Sequence, residues 1–345
     1  MLRALFLPLL LLLCVDGFSQ SKFLDSIARA QYVQRFPDYF FIWPVFRQRA
    51  SSFEFQSTRT PSQKVAFSPN IRYHAGLGFY LFEVGFRFIV ALPPSQTSIQ
   101  EFGESESFNL QANLVGKNWG LDAFTERYKG YYIEDASLTI PKGQPKEQRK
   151  DIETVNTGVT GLFFFNKRRF SVRATYNFYE RQLKSAGSPF AMASFNRFKF
   201  RADSLVYNLS ENAAFGDAGD FKDLAYSTVT IAPGYAYTFV VNKSWFLGTS
   251  GGVGPAFNFF DYSVGQNGNS VLDVRPFFNV RLSAGYNSER FFAGIIYSYQ
   301  TVNIHFENIQ FTSRNGTFRL QFGYRFREVG VLKKRATEMI KPKSR

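Results

Sequence analysis

The chain has 345 residues, 41 Lys and Arg against 27 Asp and Glu for a formal charge of +14, and a single cysteine, Cys14. One thiol excludes a disulfide framework and cysteine-ligated metal. The positive balance would suit nucleic acid, but the basic residues are scattered through apolar segments instead of gathered on one face; this excludes nucleic acid as a partner and favours anionic lipid head groups.

Residues 1–19 read as a secretory signal peptide: Arg3 is the charged start, Leu5 to Val15 the apolar run, and Gly17-Phe18-Ser19 the cleavage site. Export through the Sec route follows, and Leu13 before Cys14 opposes a lipoprotein site. Residues 20–38 are expected to form a periplasmic N-terminal segment. Within it SKFLDSIARAQYVQRF predicts a short helix with Phe23, Ile27 and Ala30 on one side, stopped at Pro37-Asp38.

From Tyr39 the pattern alternates with period two. In FEVGFRFIV, Phe82, Val84, Phe86, Phe88 and Val90 share one face against Glu83, Gly85 and Arg87. SFNLQANLV, FSVRATYNF (170–178), RPFFNVRLSAGY (275–286) and TFRLQFGYRF repeat the scheme. Such alternation means strands with one apolar and one polar face. The apolar faces are five large residues deep with aromatics near their ends, as an apolar band with aromatic girdles requires. The opposite faces carry Arg, Asn, Gln, Ser and Gly, unlike the solvated Lys and Glu of a soluble sandwich. No later apolar run reaches the roughly 18 residues of a membrane helix. Strands cross a bilayer only as a closed barrel. The predicted fold is therefore an all-β, antiparallel, up-and-down outer-membrane β-barrel over residues 39–327.

Tight connections at 81–82, 116–118, 166–168, 242–244 and 287–289 alternate with long polar ones at 58–69, 91–104, 134–153, 181–225, 262–271 and 305–315. Short periplasmic turns and long external loops are the habit of such barrels. Taking 39–57 as one strand bulged near Ala50, and 181–225 as one long external excursion, gives twelve strands. Counting FAMASFNRFKF (190–200) as a strand, with the first segment a hairpin, gives fourteen. Gly323-Tyr324-Arg325-Phe326 resembles the aromatic-ended final strand read by barrel assembly machinery. Residues 328–345 follow as a basic periplasmic tail.

ERYKGYYIED (126–135), KSAGSPF (184–190), ADSLVYN (202–208), GYAYTFVVNKSWFLG (234–248) and GYNSERFFAGIIY (285–297) carry a further signal. In this order they resemble the exported Bacteroidota proteins grouped as domain of unknown function 4421 (DUF4421), over nearly the whole mature chain. The resemblance implies an outer-membrane β-barrel and transfers no catalytic residues.

Parity places Arg72, Arg87, Arg173, Arg275, Arg281, Arg319 and Arg325 on the inward face, with His74, Glu83, Asp122, Glu126 and Asn279 as polar or acidic neighbours. Either these groups pair off and plug the barrel, or their surplus positive charge lines a path or pocket for small anionic solutes. Arg127, Lys129, Tyr131 and Tyr132 are expected at the external rim against lipopolysaccharide and outer-membrane lipid. His305 is expected outward near the same rim, where a serine such as Ser313 would have to come within about 3 Å to form a lipid-hydrolysing dyad; the spacing does not favour this, and no enzyme is expected. Gly248, Ser250, Gly252, Gly254 and Ala256 read as a small-residue strand face that makes room for side chains opposite, not as a phosphate loop, since no Lys-Ser/Thr follows. No metal site and no cofactor motif is expected.

Overall fold

The computed structural model describes residues 27–329 except 60, 62–63, 82–83, 136–140, 142, 204–222, 265–266 and 307. The signal peptide, Glu83 and all of the basic tail beyond Val329 lie outside the described residues. After β1 (Val33–Arg35) come β2 (Tyr39–Ser57), β3 (Lys64–Ser68), β4 (Tyr73–Leu81), β5 (Val84–Ala91), helix α1 (Gln96–Phe102), β6 (Glu106–Val115), β7 (Trp119–Asp135) and β8 (Gln148–Phe164). Helix α2 (Val172–Asn177), β9 (Glu180–Gln182) and β10 (Ala186–Arg201) follow. The chain then completes β11 (Asp223–Val241), β12 (Trp245–Val264), β13 (Asn267–Asn287), β14 (Phe291–Phe306) and β15 (Ile309–Arg327).

All ladders are antiparallel. From β8 through β10 to β15 each strand pairs with the next, and β15 closes on β2 from Ile309 opposite Ser57 to Arg327 opposite Tyr39. Along β2 the partner on the other side changes. Phe41 to Gln48 pair with β4, and Phe53 to Gln56 pair with β3. The short β3 then reaches β7, Val65 to Ser68 pairing with Asp135 to Tyr132. Among the described residues the ladder-closed ring therefore has ten strands, not twelve. β4, β5 and β6 extend the wall beneath β3, β5 pairing with β4 and β6 with β7.

Two segments depart from the period-two reading. FSVRATYNF forms no strand: Ser171 accepts from Ala174 N at 3.1 Å as an N-cap, α2 follows, and Phe178 ends it in the left-handed region at φ 61. Both of its alternating sets are buried, from Val172 to Tyr176, because the segment lies inside the barrel with protein on every side. Its place in the wall is taken by β10, so 181–225 is not one external excursion. Of the expected N-terminal helix, residues 27–30 are helical and those before 27 lie outside the described residues; β1 then pairs with β9.

The ladder of β2 with β15 shows no register shift, so the bulge expected near Ala50 is absent. The irregularity falls in β7 instead, between Lys129 and Tyr131, where Gly130 has φ 83. A residue added there flips every later side chain to the other face.

Outward faces carry a broad apolar surface: Phe88, Phe108, Leu110, Tyr235, Leu247, Val274, Phe278 and Phe322 are exposed. Small soluble proteins do not leave so continuous an apolar surface to water. No helix among the described residues is long and apolar enough to cross a membrane, which says nothing about strands.

Candidate functional site

The inside of the barrel is layered. At the loop end Phe53, Phe55, Phe67, Phe198, Phe200, Phe260, Phe306 and Phe311 pack into one buried cluster with Tyr128, Tyr131 and Tyr226. At the turn end a second cluster joins Phe41, Trp43, Tyr80, Phe164, Phe190 and Phe292 of the wall to Phe170, Val172, Tyr176, Phe178 and Tyr179 of the 165–185 excursion. That excursion is an inward plug. Thr175 Oγ1 meets Thr238 Oγ1 at 2.7 Å, and Gly248 leaves the space that Thr175 enters.

Between the two aromatic layers lies a polar chamber of about 430 Å³, bordered by Arg47, Arg49, Arg87, Asn109, Asp122, Glu126, Asn156, Asn196, Thr228, Asn279, Arg281, Asn315 and Arg319. Its carboxylates are engaged. Glu126 takes a bidentate pair from Arg49 and a bond from Asn109 Nδ2 at 3.0 Å. Asp122 accepts from Asn113 and stands 3.8 Å from Arg281, whose guanidinium lies 5.1 Å from the Tyr176 ring. Three cations remain. Arg87 donates to Asn113 Oδ1, and Arg319 donates to the Tyr176 carbonyl at 2.9 Å. Arg47 is 5% exposed, and the Nε atoms of Arg47 and Arg319 have no hydrogen-bond partner. Among the described residues none of the three has a carboxylate at ion-pair distance. An uncompensated charge away from water is costly, and these three guanidinium groups give the chamber a positive bias.

Beneath the plug the arginines are structural. Arg325, fully buried, donates to the carbonyls of Ser288 at 2.6 Å and Phe178 at 2.7 Å and to Asn287 Oδ1 at 2.7 Å. The rings of Phe36, Phe41 and Phe292 surround it at 4.1 to 4.9 Å. Glu180, 1% exposed, takes Arg29 Nη2 and Ser171 Oγ at 2.5 Å each.

The model of a domain of unknown function, DUF4421, matches residues 24–326, nearly the whole barrel and its N-terminal segment. The chain belongs to the DUF4421 family. No protein of curated function matches it in sequence. Among solved structures, it is similar to the outer membrane protease OmpT of Escherichia coli (8% identity, TM-score 0.39, 84% of this chain and 97% of that one). It is also similar to the translocator domain of the autotransporter NalP of Neisseria meningitidis (9%, TM-score 0.33, 89% and 95%). A third is the β-domain of the Bordetella autotransporter BrkA (13%, TM-score 0.33, 84% and 100%).

In this DUF4421 barrel the expected lumen residues divide. Arg87, Arg281, Arg319, Asp122, Glu126 and Asn279 border the chamber. His74 also faces inward, 1% exposed and opposite Arg47 in the ladder. Arg275 points inward but above the chamber, holding Asp273 at 2.9 Å. Arg325 is locked below it. Two expectations are corrected. Arg173 belongs to the plug, where it bonds Tyr80 Oη. Arg72 precedes β4, is exposed, and reaches Tyr132 Oη and the Phe102 ring instead of the lumen.

At the rim Arg127 and Lys129 do face outward, Arg127 on Glu153 at 2.7 Å. Tyr131 does not, because the Gly130 bulge turns it into the upper cluster, and Tyr132, on the outer side after the bulge, is buried beneath Phe102. His305 lies on the outward side of β14, opposite Gln310, while Ser313 is buried on the inner side opposite Val302. The sheet separates the two, so no dyad forms.

Arg47 and Arg49 were not expected at the site. A signal was present: the inward set of β2 runs Phe41, Trp43, Val45, Arg47, Arg49, Ser51, Phe53, Phe55, apolar at both ends and polar in the middle.

Proposed function

We propose that this chain is an outer-membrane β-barrel whose closed lumen binds a small anionic solute and does not conduct freely. The carrying observation is the trio Arg47, Arg87 and Arg319 around one chamber without carboxylate partners among the described residues, between two aromatic layers. A chamber of about 430 Å³ falls in the size range of small-molecule sites. Location in the outer membrane is supported by the apolar outward face and the closed ladder ring. In that setting lipid and lipopolysaccharide would cover the wall, with Arg127 and Lys129 at its loop-side edge, and barrel assembly machinery would insert it.

The test joins two measurements. Calorimetric titration with phosphate, sulfate and acetate is expected to show binding that weakens at least about tenfold in Arg47→Ala and Arg319→Ala, the loss of one charge-assisted contact. Planar bilayers are expected to show no steady current. An ohmic current would make the protein a pore, and absence of any anion binding would leave only a structural or surface-interaction barrel.

A further inference from the structure

The wall is incomplete in one place. Among the described residues β5 pairs only with β4 and β6 only with β7, so two strand edges stand side by side without a ladder. One side-chain bond spans the gap, from the Arg87 guanidinium to Asn113 Oδ1. With no ladder hydrogen bonds to break between these two edges, the wall can part here more readily than at a paired position.

The chamber reaches this seam. On β5 Arg87 to Val90 border it, and on β6 Asn109 to Gln111. Consecutive residues border it elsewhere, as Ser194 to Asn196 do on β10, but β10 is paired on both sides and the wall there is shut. The outward residues at the seam are the apolar Phe88, Val90 and Leu110, exposed by 69%, 67% and 62%. The site is thus cationic within and apolar at its lateral mouth.

We propose that the seam admits a single-chain anionic amphiphile from the bilayer. Its carboxylate or phosphate head would sit among Arg47, Arg87 and Arg319, and its acyl chain would lie between β5 and β6 against Phe88, Val90 and Leu110. Arg87 is the latch: on binding, its guanidinium exchanges Asn113 for the head group. The proposal rests on the anion-binding chamber and adds the chain and the route.

The test uses the full chain in phosphatidylcholine nanodiscs, with dodecanoate and butyrate as probes that share a head and differ in chain. Wild type is expected to bind dodecanoate at least about tenfold more tightly than butyrate. The pair Phe86→Cys and Leu114→Cys, exposed residues that the acyl chain is not placed against, flanks the Arg87–Asn113 bridge, and the sequence has no cysteine after Cys14. Oxidised, this variant is expected to lose the preference for dodecanoate while still binding butyrate; reduced, it regains it, and heat-modified gel mobility reports the fold in both forms. Equal affinities for the two probes, undiminished dodecanoate binding in the cross-linked form, or failure of the cysteines to cross-link would overturn the lateral route. If neither probe binds wild type, the anion chamber itself is wrong, a result distinct from the other three.

Discussion

Arg325 shows how one residue can serve a purpose its position in the pattern does not reveal. Parity puts it inward, as it does Arg281 and Arg319, yet only those two border the chamber. Arg325 binds three oxygens and three rings and ties the last strand to the plug and to the 288–290 turn. Arg325→Ala leaves those oxygens buried without donors. We expect it to destabilise the barrel by about 3 kcal/mol, each hydrogen bond to a charged group being worth roughly 1.5–3. Urea unfolding in lipid vesicles, followed by tryptophan fluorescence, measures this. Arg325→Lys should recover only part, since an ammonium lacks the planar fork. An unchanged midpoint in the alanine variant would show that these contacts do not hold the plug. The roles of Arg325 and Arg319 were not legible in sequence, because depth along the strand, not side, separates anchor from chamber.

At the scale of elements, β12 was read correctly and the plug was not. Gly248, Ser250, Gly252, Gly254 and Ala256 do form an inward small-residue face, and it accommodates the plug and the wall opposite: Thr175 of α2 beside Gly248 and Phe190 of β10 beside Gly252. A Cβ at Gly248 would meet Thr175 Cγ2 and Ser283 Oγ. Gly248→Val is therefore expected to displace α2 at a cost of about 1–3 kcal/mol, read as a lower temperature of gel-mobility conversion and faster proteolysis within 165–185. Retained protease resistance would mean that the plug does not depend on this contact. FSVRATYNF misled because period two identifies a strand only when its two faces meet different surroundings. Inside the lumen both meet protein, and the Ser171 cap then decides for helix. The twelve-strand count leaves β10 in a loop and the fourteen-strand count takes FAMASFNRFKF as a strand; the long polar stretches beside it in sequence hide which is right.

For the whole molecule the consequence is a chamber with one aromatic layer above it and another below. If the upper aromatic layer is the barrier on the loop side, then alanine at Phe55, Phe200 and Phe311 together should speed anion entry without changing the chamber's own contacts. Stopped-flow binding of a small anion should rise in association rate by about tenfold or more, in line with the spread of rates seen when access alone changes. Equal rates would place the entrance elsewhere, and the β5–β6 seam is the other opening the fold provides.

Composition and alternation alone determined that this is an all-β wall with an apolar outside and a basic, polar inside, and family membership agrees in span. Both follow from local rules: side chains alternate along a strand, and a barrel has two unlike faces. Tertiary structure alone decided which inward residues share a chamber, that 165–185 turns inside, that β3 closes the ring above β4, and that β5 and β6 face each other unpaired. These depend on which strands become neighbours and at what height, and pairing between distant segments leaves no trace in any one of them. The Gly130 bulge makes the same point in miniature, since one residue at φ 83 carried Tyr131 from the rim, where the pattern put it, into the upper cluster.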